Sequence, residues 1–158
     1  MNKLVDIYGF NVINDEIDYE SMWAGKILVK KDGSFEGISS YESILNPHFI
    51  TGNITKKSID FISLSRKDDE VCKKYNCTKK GSVYDGIYSA TDGVTTVPIG
   101  ECTLRVIAAD KIREVTAEEI NNFIRIMSEV KENLGSTGRQ IYESISVPEV
   151  NKVNQIIK

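Results

Sequence analysis

Histidine, tryptophan and cysteine are scarce in this chain of 158 residues. It has one histidine (His48), one tryptophan (Trp23) and three cysteines. An odd cysteine count does not fit the disulfide framework of a small secreted domain. Cys72 and Cys77 have the spacing of half a metal site, but no second Cys or His pair completes four ligands. We therefore expect no metal site, and we read these two cysteines as an inert surface pair.

The chain also lacks any long hydrophobic run. No window approaches the roughly 18 apolar residues that a membrane-spanning helix requires. The first apolar stretch, Met1–Ile7, contains Asp6 and is not followed by the apolar segment of a secretory signal peptide. We therefore expect no signal peptide and no membrane partner, and together with the cysteine count this predicts a cytoplasmic location.

No excess of one charge is present. Lysine and arginine total 20, aspartate and glutamate total 23, and the net charge is −3, so we expect no nucleic-acid partner. Phosphate-binding loops, dinucleotide fingerprints and nucleophile elbows are missing, so we expect no cofactor. The length and the 41% hydrophobic content fit one globular domain spanning residues 1–158.

The first two-thirds of the chain has the pattern of antiparallel strands. Trp23–Lys30 and Ser34–Tyr41 flank Asp32-Gly33, a strong hairpin signal because glycine accepts a positive φ. The charged segment Arg66–Lys80 has few apolar residues and is read as a long surface loop. The other predicted strands are Phe49–Ile54, Ser58–Ser65, Val83–Ala90, Val94–Val97 and Glu101–Ala108.

A weak repeat runs through these strands and favours a barrel. In each copy a large apolar residue stands two positions before a glycine, so both lie on the same strand face. Recurrent strand glycines indicate sharp bending or close backbone approach. We therefore predict a mainly β protein, an antiparallel β-barrel over about residues 20–110. The four copies begin at Trp23, Phe35, Ile50 and Tyr84.

The pattern becomes helical near the C-terminus, over residues 116–158. Thr116 and Glu119 have the spacing of a capping box, and apolar residues then recur at helical spacing up to the stop signal Gly135. Shorter helical segments are predicted at Arg139–Ile145 and after Ser146. The alternative architecture is an α+β fold, in which a helix covers one face of an open, curved antiparallel sheet.

The order of elements, with Trp23 near the start of the strands and Arg105 in the last one, resembles the calycins, the superfamily of lipocalins, fatty-acid-binding proteins and avidin-like barrels. The resemblance covers about residues 20–110. It implies a calycin-like barrel in which Trp23 packs against Arg105 and closes one end. The lipocalin Gly-x-Trp motif is replaced here by Ser21-Met22-Trp23, so the resemblance is one of architecture.

Aromatic residues mark the candidate ligand site. Tyr84 and Tyr88 share a strand face, and so do Phe35 and Tyr41. On the inside of a barrel these four side chains would line a small apolar cavity with polar tips. In a small barrel the same residues can instead fill the core.

Three classes of function follow from these observations. The first is a non-catalytic protein that binds a small apolar or amphipathic ligand in its barrel. The second is a protein-interaction module, an inhibitor or adaptor, that uses the 66–80 loop or the C-terminal helix. The third is an enzyme with His48, Cys72 or a buried Asp85 in a catalytic role. The third is the weakest, because the sequence supplies neither a triad nor a metal set.

Overall fold

The computed structural model describes residues 2–13, 22–41, 47–66 and 71–145, and it shows a closed antiparallel β-barrel of eight strands followed by two helices. Each strand pairs with the next along the chain, and β1 closes the barrel against β8. The strands are β1 (Lys3–Ile13), β2 (Met22–Val29), β3 (Ser34–Tyr41), β4 (His48–Ile54), β5 (Ser58–Leu64), β6 (Cys72–Lys80), β7 (Val83–Thr91) and β8 (Thr96–Ala108).

Closure confirms the predicted barrel and excludes the open curved sheet. The barrel starts earlier than predicted, however, because Lys3–Ile13 forms β1 and pairs with both β2 and β8. Asp6 interrupts the apolar pattern of this segment without breaking the strand. It lies on the outer surface opposite Lys26 of β2, with Oδ1 and Nζ 4.0 Å apart. Trp23 therefore belongs to the second strand of the barrel.

A second correction concerns Arg66–Lys80, whose composition predicts a surface loop. Within it, Cys72–Lys80 is β6, with β5 on one side and β7 on the other. Its inward positions include Tyr75 and Cys77, both buried, whereas the alternate residues Lys74 and Asn76 are exposed outside. The charged outer residues hide this alternation in the sequence. Residues 67–70 lie outside the described part of the chain.

We call the end of the barrel that holds the β2–β3, β4–β5 and β6–β7 turns the hairpin end. At the β2–β3 turn Gly33 has φ +91°, and the Asp32 carboxylate accepts hydrogen bonds from the backbone N–H and the hydroxyl of Ser34. The opposite end, where β1, β3, β5 and β7 finish, is called the far end. At the far end, the β7–β8 turn has φ +93° at Gly93, and the Asp92 carboxylate accepts from the backbone N–H groups of Val94 and Thr95.

The strand glycines allow neighbouring backbones to approach closely. At Gly52 and Gly86 a Cβ atom would overlap the backbone of the next strand, at Asp60 and at Asn76 respectively. Both glycines occupy inward positions of tightly curved strands. The glycine repeat in the sequence therefore reflects the strand curvature that a small barrel requires.

Two apolar clusters hold the molecule together, one inside the barrel and one between the barrel and the helices. Along β5 they alternate: Ile59 and Phe61 point inward, whereas Leu64 belongs to the outer cluster. The outer cluster joins strand residues to helix residues and is composed of Leu4, Leu28, Phe49, Leu64, Cys72, Ala109, Phe123, Met127, Val130, Leu134 and Ile141. The helices thus form a second layer over part of the outer surface of the barrel.

The first helix, α1 (Ala117–Glu132), begins as predicted at Thr116, whose hydroxyl accepts from the Glu119 N–H at 3.1 Å. The second half of the predicted capping box is wrong. The Glu119 carboxylate pairs with Arg113 at 2.6 Å instead of reaching back to the cap. A second helix, α2, covers residues 136–145. The helix predicted after Ser146 lies outside the described residues.

Candidate functional site

Aromatic rings pack against one another inside the barrel. Phe61 and Tyr75 stack with their centroids 4.5 Å apart, and Tyr88 stacks on the other side of Tyr75 at 5.6 Å. Trp23 lies edge-on to Phe61 at 6.0 Å and tilted against the Tyr75 ring at 5.6 Å. Tyr75 and Tyr88 are each 1% exposed. This part of the interior is a packed aromatic core.

The predicted ligand residues are distributed along the barrel. Phe35 and Tyr88 are buried in the interior, where Phe35 packs 6.1 Å from Phe61. Tyr84 is buried nearer the hairpin end, and its hydroxyl donates to the Thr55 carbonyl at 3.3 Å. Burial raises the pKa of Tyr84. Tyr41 pairs with Trp23 in the β2–β3 ladder, and its side chain lies outside the described residues.

Polar groups collect inside the barrel at the far end. The inward positions there include Ser39, His48, Ser63 and Lys73. Ser39 stands directly opposite His48, and Ser63 stands directly opposite Lys73. Ser39 and Ser63 are 6% and 7% exposed, and His48 and Lys73 are half-buried. Two adjacent strand pairs thus carry hydroxyl, imidazole and ammonium groups on one inner surface.

Asn11 is a further buried polar residue, and it is hydrogen-bonded to the aromatic core. Its side-chain carbonyl accepts from Trp23 Nε1 at 3.1 Å, and its amide nitrogen donates to the Tyr75 hydroxyl at 3.0 Å. Asn11 is 2% exposed. The polar edges of both rings therefore face Asn11.

The sequence patterns missed most of this polar set. His48 was singled out as the lone histidine, but its place on an inward face depends on the β3–β4 register. Lys73 lies in the segment whose composition predicts a loop. The usable signal was the two-residue spacing of Lys73, Tyr75 and Cys77, which places all three on one side of a strand.

The arrangement supports binding by hydrogen bonds and charge. An ammonium group donates, hydroxyls donate and accept, and an imidazole does either. Asp85, considered as a buried acid, is half-buried on the outer surface and accepts from the Thr103 hydroxyl at 2.9 Å. Among the described residues no group of three or more His, Cys, Asp or Glu side chains could hold a metal ion.

The prediction that Cys72 and Cys77 form a surface pair is wrong. Both are buried, and they point to opposite sides of β6. Cys72 belongs to the outer cluster, where its Sγ donates to the Ser65 hydroxyl at 3.3 Å. Cys77 lies inside the barrel beside Cys102, with their Sγ atoms 2.9 Å apart.

The contact between Trp23 and Arg105 that the calycin resemblance implied is not formed. Trp23 is inside the barrel, whereas Arg105 is exposed on the outer face of β8, opposite Tyr8. Leu104, the neighbour of Arg105, occupies the inward position and is fully buried. The packing partners of Trp23 are aromatic rings and Asn11.

A concave surface lies outside the barrel, between the strands and α2. This groove of about 490 Å³ runs over β3, β4 and β5 and is bordered by Tyr142, whose hydroxyl donates to Glu36 at 3.1 Å. Its lining includes both acidic and basic residues, among them Asp32, Asp60 and Lys74. Its mixed charge favours no single class of ligand.

The fold and the interior define a closed antiparallel barrel of eight strands with a polar inner surface at one end. No protein-family model matches the chain, and no curated protein matches it. Within the described residues, neither helix has the length and apolar character needed to cross a membrane.

Proposed function

We propose that the protein binds a small amphipathic molecule inside its barrel, near the far end. The apolar part of the ligand would rest against the aromatic core, and its polar group would meet Ser39, His48, Ser63 and Lys73. The observation that carries this proposal is the pairing of Ser39 with His48 and of Ser63 with Lys73 on the inner surface.

The desolvation cost of these inward polar side chains supports a role for them in binding. A barrel of this size needs only apolar side chains to fill its interior. Inward lysine and histidine side chains have a desolvation cost that an apolar residue at the same place does not have. Polar groups that converge beside an apolar wall are the usual composition of a small-ligand site.

Barrel architecture supports the same function by analogy. Consecutive strands pair in sequence order and the barrel closes between β1 and β8, which resembles the calycins. Such an analogy favours ligand binding as a class but names no ligand. We include calycin-like, and more narrowly lipocalin-like, membership in the proposal, although the terminal Trp–Arg contact is replaced by an internal Trp–Asn hydrogen bond.

The test compares two adjacent lysines. Lys73 faces inward and Lys74 is exposed outside on the same strand, so Lys73→Met and Lys74→Met are matched variants. The probes are dodecanoate and an anilinonaphthalene sulfonate, each with an apolar body and one anionic group. Binding is followed by the emission of Trp23, the single tryptophan, and by native mass spectrometry.

We expect one probe molecule per chain, with affinity reduced about ten-fold in Lys73→Met, the loss of one charge-assisted hydrogen bond. Lys74→Met is expected to bind like the wild type. Absence of saturable binding by the wild type to either probe would overturn the proposal. Equal weakening by both variants would show that the probes bind the outer surface.

A further inference from the structure

Two buried thiols on different strands meet inside the barrel. Cys77 of β6 and Cys102 of β8 are each 2% exposed, and their Sγ atoms are 2.9 Å apart. They are separated by 25 positions in the chain. We propose that Cys77 and Cys102 are a modification site, a thiol pair that peroxide converts reversibly into an internal disulfide.

The barrel register explains how residues on non-adjacent strands come together. β7 runs between β6 and β8, and Gly86 of β7 pairs with Cys77 on one side and with Cys102 on the other. Because Gly86 has no side chain, nothing from β7 stands between the two inward-pointing thiols. The inward curvature of the barrel brings their Sγ atoms together over the Gly86 backbone.

The distance to be closed is small. A disulfide bond has an S–S length of about 2.05 Å, so the Sγ atoms must approach each other by about 0.9 Å from their present separation. Cys72 is not part of this pair, because it faces the outer cluster on the opposite side of β6. The three cysteines therefore separate into one pair and one single thiol.

The reaction balances with hydrogen peroxide as the oxidant. One thiolate attacks peroxide, the O–O bond breaks, and a sulfenic acid and hydroxide form. The second thiol attacks the sulfenic sulfur, the S–S bond forms, and water leaves. In total two thiols and one peroxide give one disulfide and two waters, and a small dithiol returns the pair to thiols by exchange.

The environment makes this oxidation slow. The hydrogen bond with Cys77, together with burial, raises the pKa of the Cys102 thiol well above its ordinary value. A protonated thiol is a poor nucleophile. We therefore expect the disulfide to form only during long incubation with the oxidant, and the reaction is followed over hours.

The experiment uses the full chain, reduced and then treated with hydrogen peroxide. Unreacted thiols are alkylated under denaturing conditions and counted by mass spectrometry. We expect three alkylated thiols before oxidation and one afterwards, with a peptide pair that joins Cys77 to Cys102 and separates on reduction. Closing this loop is expected to raise the melting temperature by roughly 5–10 °C.

Serine variants supply the controls. Cys72→Ser should form the link as the wild type does, whereas Cys77→Ser and Cys102→Ser should not. Peptide mapping of the wild type gives the answer even if an interior variant fails to fold. Three free thiols after oxidation, a link that includes Cys72, or sulfinic acid on a single cysteine would each overturn the proposal.

Discussion

At the scale of single residues, the interior is organised around Trp23. Its ring contacts Phe61 and Tyr75, its Nε1 donates to Asn11, and it lies against Gly9, where a Cβ atom would overlap the indole. Glycine at position 9 thus leaves room for the largest side chain in the barrel. Because these contacts are internal, Trp23 stabilises the packed interior of the barrel.

Replacing Trp23 by alanine is expected to lower the free energy of unfolding by about 3–5 kcal/mol, the range for large buried aromatic side chains. Trp23→Phe is the matched control, because it keeps a ring but loses the hydrogen bond to Asn11, and we expect a smaller loss. Urea denaturation followed by far-ultraviolet circular dichroism measures both. An unfolding midpoint of Trp23→Ala close to that of the wild type would show that the ring does not support the barrel.

At the scale of elements, local signals predicted structure well and long-range pairing did not show in the sequence. The β2–β3 hairpin follows from Asp32-Gly33, and the start of α1 follows from Thr116, because these signals act within a few residues. β1 and β6 were missed because outward charges such as Asp6 and Lys74 interrupt their apolar patterns. Each of these segments is a strand because it pairs with a neighbouring strand on both sides, and the local sequence does not show that pairing.

The start of α1 gives a prediction at this scale. Thr116→Ala removes the hydroxyl that accepts from the Glu119 N–H, and a lost N-cap costs about 1 kcal/mol. Thr116→Ser keeps the acceptor and should behave like the wild type. Thermal unfolding measured on all three proteins checks this. Equal stability of the alanine and serine variants would mean that the Arg113–Glu119 pair, at 2.6 Å, holds the helix start without the cap.

At the scale of the whole molecule, closure of the barrel brings residues that are distant in the sequence onto one inner surface. The candidate site depends on registers between β3 and β4 and between β5 and β6, so Ser39, His48, Ser63 and Lys73 could not be grouped from their spacing. Of the aromatic residues predicted to face the interior, Phe35, Tyr84 and Tyr88 are buried there, on alternate positions of their strands. They lie at different depths, since their positions along the barrel axis depend on strand stagger.

The two apolar clusters share the same strands, and this predicts how the protein unfolds. Ile59 and Leu64 lie on opposite sides of β5, the first in the inner core and the second under the helices, and both are fully buried. Replacing either by alanine is expected to cost about 2–5 kcal/mol. Because strands of a closed barrel connect both clusters, each variant should shift a single transition.

Hydrogen exchange under native conditions distinguishes cooperative unfolding of barrel and helices from separate opening of the helices. In a cooperative molecule, Leu64→Ala lowers the protection of the slowest amides in β5 and in α1 by the same factor, and Ile59→Ala does likewise. Loss of protection in α1 alone after Leu64→Ala, with β5 unchanged, would mean that the helices open as a separate unit. In that case the outer cluster would hold the helices against a barrel that is stable without them.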